Sequence, residues 1–272
     1  MPGFLLVVLN RADTAHACLQ AAAQIAVAMR DARILALCVR VDPASTILPS
    51  EEVLTNERRT RLESDATQLA AAINRIYNSW LDEHPDWAPG RTSWSEPVST
   101  IQQQLKVRGR GADLIVLASP VNAQETFRRE ALRTAIFDAK RPVLVVPNKV
   151  IETIGRSIAI IWDNEPSTAK AVLDAMPLLD RAREIYVLIT MDADAPRPHL
   201  PQLLIDHGVD AVIHPIASGS NSRGGALLAH AHQLRADLLV MSAYPHPLIE
   251  LLPGGLTRYM VSHTDMPILM RH

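Results

Sequence analysis

The chain opens on a block of apolar positions. Phe4 to Leu9 is unbroken by any polar residue, which reads as a strand buried on both faces. Asn10 to Asp13 follows as a loop, and Asp13 or Thr14 is expected to cap the next helix. There Cys18, Ala22, Ile25, Ala26 and Met29 recur at helical spacing, giving one buried stripe. Arg33 to Val41 is the next strand, ended by Asp42-Pro43. Glu51 to Trp80 is a long helix, polar at first and more apolar from Leu69 onward. Arg91 to Ser95 predicts a short strand. Pro97 to Val107 predicts a short helix with Pro97 in its first turn. Asp113 to Ala118 is again a buried strand. After a loop comes a basic amphipathic helix. Its Leu132, Ala135, Ile136 and Ala139 face inward, and Arg128, Arg129, Arg133 and Lys140 face out. Pro142 to Val146 closes the cycle.

Residues 149–155 read as a linker, and the pattern then restarts. Ser157 to Trp162 is an apolar strand ended by Asp163. Asn164-Glu165-Pro166 opens a helix that Pro177 is expected to bend or end. Ile185 to Thr190 is a strand. A turn rich in proline (Pro196, Pro198, Pro201) leads to a short helix, Gln202 to His207. Ala211 to Ile216 is a strand, and Arg223 to about Leu234 a helix. Ala236 to His272 then gives strand, loop, helix and strand. Its ADLLVM matches Ala112-Asp113-Leu114-Ile115-Val116-Leu117, and its Pro267-Ile268-Leu269-Met270 matches Pro142-Val143-Leu144-Val145. Strands alternating with helices imply parallel sheets covered on both faces. Right-handed crossovers then require a doubly wound order. The expected fold class is α/β: two tandem doubly wound five-stranded parallel-sheet domains, residues 1–149 and 155–272. Such sheets bind ligands beyond the C-terminal strand ends, at the switch point.

Composition narrows the class. The 272 residues suit two modest domains. With 48% hydrophobic but only 4% aromatic residues, the cores must be aliphatic. A formal charge of −2 gives no nucleic-acid footprint. Cys18 and Cys38 form no CxxC or metal spacing, and read as core residues of a protein in the reducing cytoplasm. The N-terminal segment lacks a signal peptide's charged start, and no apolar run approaches the ~20 residues of a membrane span. A soluble cytoplasmic protein, with no membrane partner, is expected.

The closing segment carries a resemblance. ADLLVM, the Ala-Tyr pair, Gly254-Gly255, Thr257-Arg258 and the Pro267-Ile-Leu strand fall in an order similar to that of the universal stress protein family, in its tandem two-domain form. The resemblance implies an adenine-nucleotide alpha-hydrolase-like fold, with the two domains related by a pseudo-twofold that imitates a dimer. The last strands, Pro142–Val146 and Pro267–Arg271, should then lie at that interface. Many members bind ATP through an acid after the first strand and a glycine loop after the fourth. Glycines let backbone N–H groups approach phosphate, and the next helix N-terminus favours the anion. Asp163 matches the acid. The loop departs from the pattern, with Ser242 and Pro245 at the first two glycine positions, and proline supplies no N–H. Gly254, Gly255 and Thr257 survive. The resemblance therefore points to Asp163, Ser242, Ala243, Tyr244, Gly254, Gly255 and Thr257 for ATP or another adenine nucleotide, with Mg, bound weakly if at all. The first half has Asn10 in place of the acid and Arg128-Arg129-Glu130 in place of the double glycine. It is expected to bind no nucleotide in the family manner. Arg128 and Arg129 either hold an anion or form a solvated helix face.

Other stretches offer less. Ser218 to Gly225 matches no phosphate-loop motif, and a cap by Asn221 or Ser222 explains it. His230 and His232 point to different faces of one helix. Asp163 itself serves either as a helix-entry cap or as a ligand to ribose or Mg²⁺. The functional expectation is a non-enzymatic stress-response or signalling module acting through a protein partner, with whole-chain homodimers compatible. Two alternatives stand beside it: a slow nucleotide hydrolase using the second-half crevice, and a ligand-free module presenting Tyr244-Pro245-His246-Pro247.

Overall fold

The computed structural model describes residues 3–29, 32–41, 55–87, 90–120, 126–192, 194–217, 222–243 and 255–272. In the first half the elements are β1 (Phe4–Val8), α1 (Ala12–Ala28), β2 (Arg33–Leu37), β3 (Arg40–Val41), α2 (Asn56–Glu83), β4 (Thr92–Ser95), β5 (Val98–Ser99), α3 (Ile101–Val107), β6 (Leu114–Ala118), α4 (Thr126–Arg133) and β7 (Val143–Val146). The second half has β8 (Ser157–Trp162), α5 (Pro166–Leu179), β9 (Glu184–Met191), α6 (Gln202–Asp206), β10 (Val212–Ala217), α7 (Arg223–Gln233), β11 (Leu238–Ser242), α8 (Leu256–His263) and β12 (Ile268–Arg271).

Ten strands form one sheet in the order β10-β9-β8-β11-β12-β7-β6-β1-β2-β4. Each half has the same internal order, third, second, first, fourth, fifth. Within each half every pairing is parallel, and only β7 and β12 run antiparallel, placing Leu144 opposite Leu269. This is the arrangement that a local twofold through the sheet produces, as the paired last strands predict. The continuous apolar runs become strands without an exposed residue: β6, β7, β8 and β11 are buried throughout. Where a sheet is covered on both sides, no polar face is needed. Leu5, Val7, Leu144, Ile158, Ile160 and Leu269 pack on the face that carries α1, α2 and α5. Leu6, Val8, Val145, Ala159, Ile268 and Met270 pack on the other face, against α3, α4, α7 and α8. Both cores run across the β7–β12 seam.

Several local expectations are corrected. The predicted strand from Arg33 to Val41 breaks after Leu37. β3 peels away and pairs with β5 as a separate two-stranded sheet. Val98-Ser99 is therefore extended, and α3 starts only at Ile101, where the Thr100 hydroxyl accepts the Gln103 N–H at 3.3 Å. Pro97 lies ahead of that helix rather than in its first turn. α1 begins one residue before Asp13, so Asp13 sits inside the first turn and pairs with Arg11 instead of capping. Thr14 does not cap it either. Pro177 lies within α5, which runs on to Leu179. The proline forfeits only the bond to the Leu173 carbonyl, and Leu173 is on the exposed side, 44% accessible. The cap at Ser222 holds: its hydroxyl accepts the Gly225 N–H at 3.1 Å. Pro215 sits in β10, an edge strand, where its missing N–H costs no ladder bond. Among the described residues no helix is long and apolar enough to cross a membrane.

Two expectations follow from packing. A Cβ at Gly224 would lie 2.3 Å from Cδ1 of Tyr259, on the facing helix α8. Gly224→Ala should therefore destabilise by about 1–3 kcal/mol in urea unfolding. The cost should shrink in a Tyr259→Ala background, because the clashing ring is gone. Both thiols are buried, and burial pushes Cys18 and Cys38 up to about 12. Native protein at pH 8 should leave a thiol-reactive dye uncoloured, and both cysteines should react once urea unfolds the chain.

Candidate functional site

β8 is a wholly buried strand, so its end delivers Asp163 to a fixed position at the C-terminal edge of the sheet. β8 lies between β9 and β11. The first crossover leads from β8 to β9 and the later one returns to β11, which makes the β8–β11 boundary the switch point. Asp163 and Ser242 meet there, the Ser242 hydroxyl donating to Asp163 Oδ2 at 3.3 Å. The other carboxylate oxygen accepts the Glu165 N–H at 3.1 Å and the hydroxyl of Thr168. Thr168 is fully buried and Ser242 nearly so. Glu165, the cap residue of α5, makes no side-chain cap bond of its own. Asp163 therefore supplies the helix entry that its sequence position suggests, through a turn in which Asn164 adopts φ 59°. Asparagine tolerates that left-handed conformation better than most residues. Its side-chain oxygen also accepts the Trp162 indole N–H at 2.6 Å.

Asp163 also borders a crevice of about 560 Å³ beyond the ends of β8 and β9. Glu165, Thr190, His199 and Arg223 share its lining, and Pro198 and Pro201 shape one wall. Carboxylates thus stand against an imidazole and a guanidinium, a donor set that fits a ligand with both hydroxyls and phosphates. Crevices beyond the C-terminal strand ends of such sheets are the usual small-molecule location; this one lies beside the switch point, on the β9 side of β8, and Ser242 and Ala243 do not line it.

The other predicted residues divide. Ser242 and Ala243 are buried at the end of β11. Gly255 caps α8 in an ordinary extended conformation (φ −66°), and a Cβ there would meet nothing within 4 Å. Neither strain nor packing among the described residues demands glycine at Gly255. Thr257 lies in the first turn of α8 and is half-buried. Tyr244 and Gly254, and with them the loop prolines Pro245 and Pro247, lie outside the described residues.

The first half differs at the same point. Arg128 does not face out. It is 4% exposed and reaches between the ends of β1 and β6. Its guanidinium donates to the Ser119 carbonyl at 2.6 Å, to Asn148 Oδ1 at 3.3 Å and to the Thr14 hydroxyl at 3.4 Å. A helical wheel assigns Arg128 to the polar face, but it cannot show that the neighbouring crevice has room and three oxygens to receive a cation. Ser119 in turn donates its hydroxyl to the Val261 carbonyl of α8 at 2.7 Å. Val261 is in the last turn of α8, where carbonyls lack helical partners. The bond ties the first-half switch point to the second half.

Sequence reasoning missed Thr168, Trp162, His199 and Arg223. Thr168 carried a signal: it falls five residues after Asp163, in the first turn of the helix. His199 and Arg223 reach the crevice from segments far apart in sequence, and no local spacing marks them.

No protein-family model matches the sequence. No curated protein matches it. Solved structures do match the fold over almost the full length of both chains. A universal stress protein from Archaeoglobus fulgidus DSM 4304 superposes with a TM-score of 0.68 at 10% identity, covering 100% of this chain and 98% of its own. A candidate universal stress protein from Pseudomonas aeruginosa UCBPP-PA14 gives 0.59 at 14% identity, covering 100% and 93%. The cytoplasmic domain of a prokaryotic cation chloride cotransporter gives 0.55 at 14% identity, covering 99% and 95%. The chain thus has the α/β fold of universal stress proteins, in a form that spans both halves.

Removing the Arg128 head group should be costly. Arg128→Met leaves the buried Ser119 carbonyl and Thr14 hydroxyl without this donor, and should cost about 1–3 kcal/mol in denaturant unfolding. Arg128→Lys should recover only part of this, since an ammonium cannot reproduce the planar fork. An unchanged midpoint in the Met variant would refute the guanidinium's structural role.

Proposed function

We propose that this chain is a cytoplasmic universal-stress-type module, acting in stress response or signalling through a protein partner rather than by catalysis. We further propose one weak adenine-nucleotide site, in the second half. The observation that carries this reading is the contrast between the two switch points. At the first, Arg128 occupies the space between the strand ends. At the second, Asp163 borders a crevice of about 560 Å³. Asp163 would meet ribose hydroxyls or Mg²⁺. Ser242, Ala243 and Tyr244 would line the root of the loop. Gly254, Gly255 and Thr257, at the start of α8, would meet phosphate, where unpaired helix N–H groups favour an anion. Pro245 removes one N–H from that loop, which is the reason to expect weak binding.

A second reading has its own support. Both Asp163 oxygens already accept hydrogen bonds from the protein. A carboxylate satisfied in this way suits a ligand-free module whose surface loops contact a partner. Calorimetry with ATP and Mg²⁺ on the intact chain separates the two. The nucleotide reading expects one site per chain with Kd above about 10 μM, weakened roughly tenfold by Asp163→Ala. Gly255→Arg should also weaken it. Tight binding that survives Gly255→Arg would reject the placement at α8. Absence of both heat and thermal shift would favour the ligand-free module. Turnover of ATP that disappears in Asp163→Ala would instead indicate a slow hydrolase.

A further inference from the structure

At the opposite edge of the sheet, where strands begin, a second cavity of about 380 Å³ opens between the two halves. One wall is the C-terminal end of α1, with Gln24 and Val27; the other is formed by Arg156, Arg181 and Arg183 of the second half. Arg156 immediately precedes β8 and Arg183 immediately precedes β9. Their backbones are joined, the Arg183 N–H donating to the Arg156 carbonyl at 2.8 Å. Two arginines therefore enter adjacent parallel strands side by side, only a strand spacing of about 4.8 Å apart. Arg181 has a structural task. Its guanidinium donates to the Val27 carbonyl at 3.1 Å, in the last turn of α1. Helix carbonyls there lack partners, and α1 has no basic residue of its own in that turn.

Arg156 and Arg183 have no such task. Among the described residues, neither side chain makes a hydrogen bond or an ion pair. Two nearby acids are engaged or turned away. Asp237 accepts the backbone N–H groups of Gly155, Arg156 and Ser157 at 2.8–3.1 Å. Glu184 follows Arg183 in the chain, so its side chain takes the opposite face, the one that Tyr186 shares two residues on. Three cations thus border one cavity with no carboxylate among its lining residues. Gln24 adds a neutral amide whose nitrogen already donates to the Ile151 carbonyl at 2.9 Å.

We propose that this seam cavity is a binding site for a small polyanion of the phosphate class, such as a pyrophosphate group or a phosphorylated metabolite. Guanidinium groups present planar donor pairs that match phosphate oxygens. The cavity volume is in the range of small-ligand sites. A ligand there touches α1 of the first half and the strand entries of the second, so binding would clamp the halves together. The site lies at the strand entries, away from Asp163 and the crevice at the strand exits, and does not depend on a nucleotide binding there.

The test is calorimetry and thermal unfolding of the full chain with inorganic pyrophosphate, without Mg²⁺, at low ionic strength. Inorganic sulfate at matched ionic strength is the control for general anion effects. One pyrophosphate per chain is expected, with a raised unfolding temperature. Arg156→Gln and Arg183→Gln should each weaken binding by about tenfold or more, and Asp163→Ala should leave it unchanged. Both arginines are exposed and lack structural bonds, so the variants should fold as the parent does. The proposal is overturned if millimolar pyrophosphate gives neither heat nor stabilisation. It is equally overturned if sulfate stabilises as strongly as pyrophosphate, or if the two glutamine variants bind as the parent does.

Discussion

The antiparallel pairing of β7 with β12 is the contact on which the rest of the molecule depends. A five-stranded doubly wound sheet has two edges, and an open edge carries unpaired N–H and C=O groups. Here one edge of each half is closed by the other. Leu144 and Leu269 meet at the centre of the join and belong to one core, whereas their neighbours Val143, Val145, Ile268 and Met270 belong to the other. Side chains alternate across a strand, so one pairing fuses both cores at once. Neither half ends in a solvent-facing apolar strand, and the helices of both halves cover a single continuous sheet.

The join also sets up the asymmetry between the halves. Ser119, at the first switch point, bonds to the last turn of α8 in the other half. Its carbonyl holds Arg128, which closes the space between β1 and β6. At the second switch point Ser242 instead bonds to Asp163, and the neighbouring crevice beyond β8 and β9 stays open. The same fold thus carries a buried cation at one site and a buried-edge carboxylate at the other.

Much of the fold could be read from the chain. Unbroken runs such as SIAIIW and LIVLA can only be strands covered on both sides, and they are. The repeat of ADLLVM and of the Pro-Val and Pro-Ile strands correctly predicted two halves of one plan. Errors clustered where tertiary partners decide. Nothing local distinguishes Val98-Ser99 from a helix start until β3 offers it a partner. Asp13 looked like a cap until Arg11 claimed its carboxylate. Of the candidate site, Asp163 and Ser242 were legible by position, and the structure brings them together. His199 and Arg223 were not, because their proximity is created by crossovers that separate them widely in sequence.

The sequence by itself determined the alternation of strands and helices and the doubly wound order, because hydrophobic period and crossover handedness leave few alternatives; the pairing of the last strands was implied by the family resemblance of the closing segment. It determined the aliphatic character of the core and the burial of both cysteines. Only the tertiary structure decided that Arg128 turns inward, that Asp163 is bonded by Thr168 and Ser242, and that three arginines converge at the seam. The first two depend on which polar groups the fold brings within about 3 Å of one another, and the third on which strand entries the crossovers set beside α1. That distance is set by packing between segments far apart in the chain, and no pattern along the chain records it.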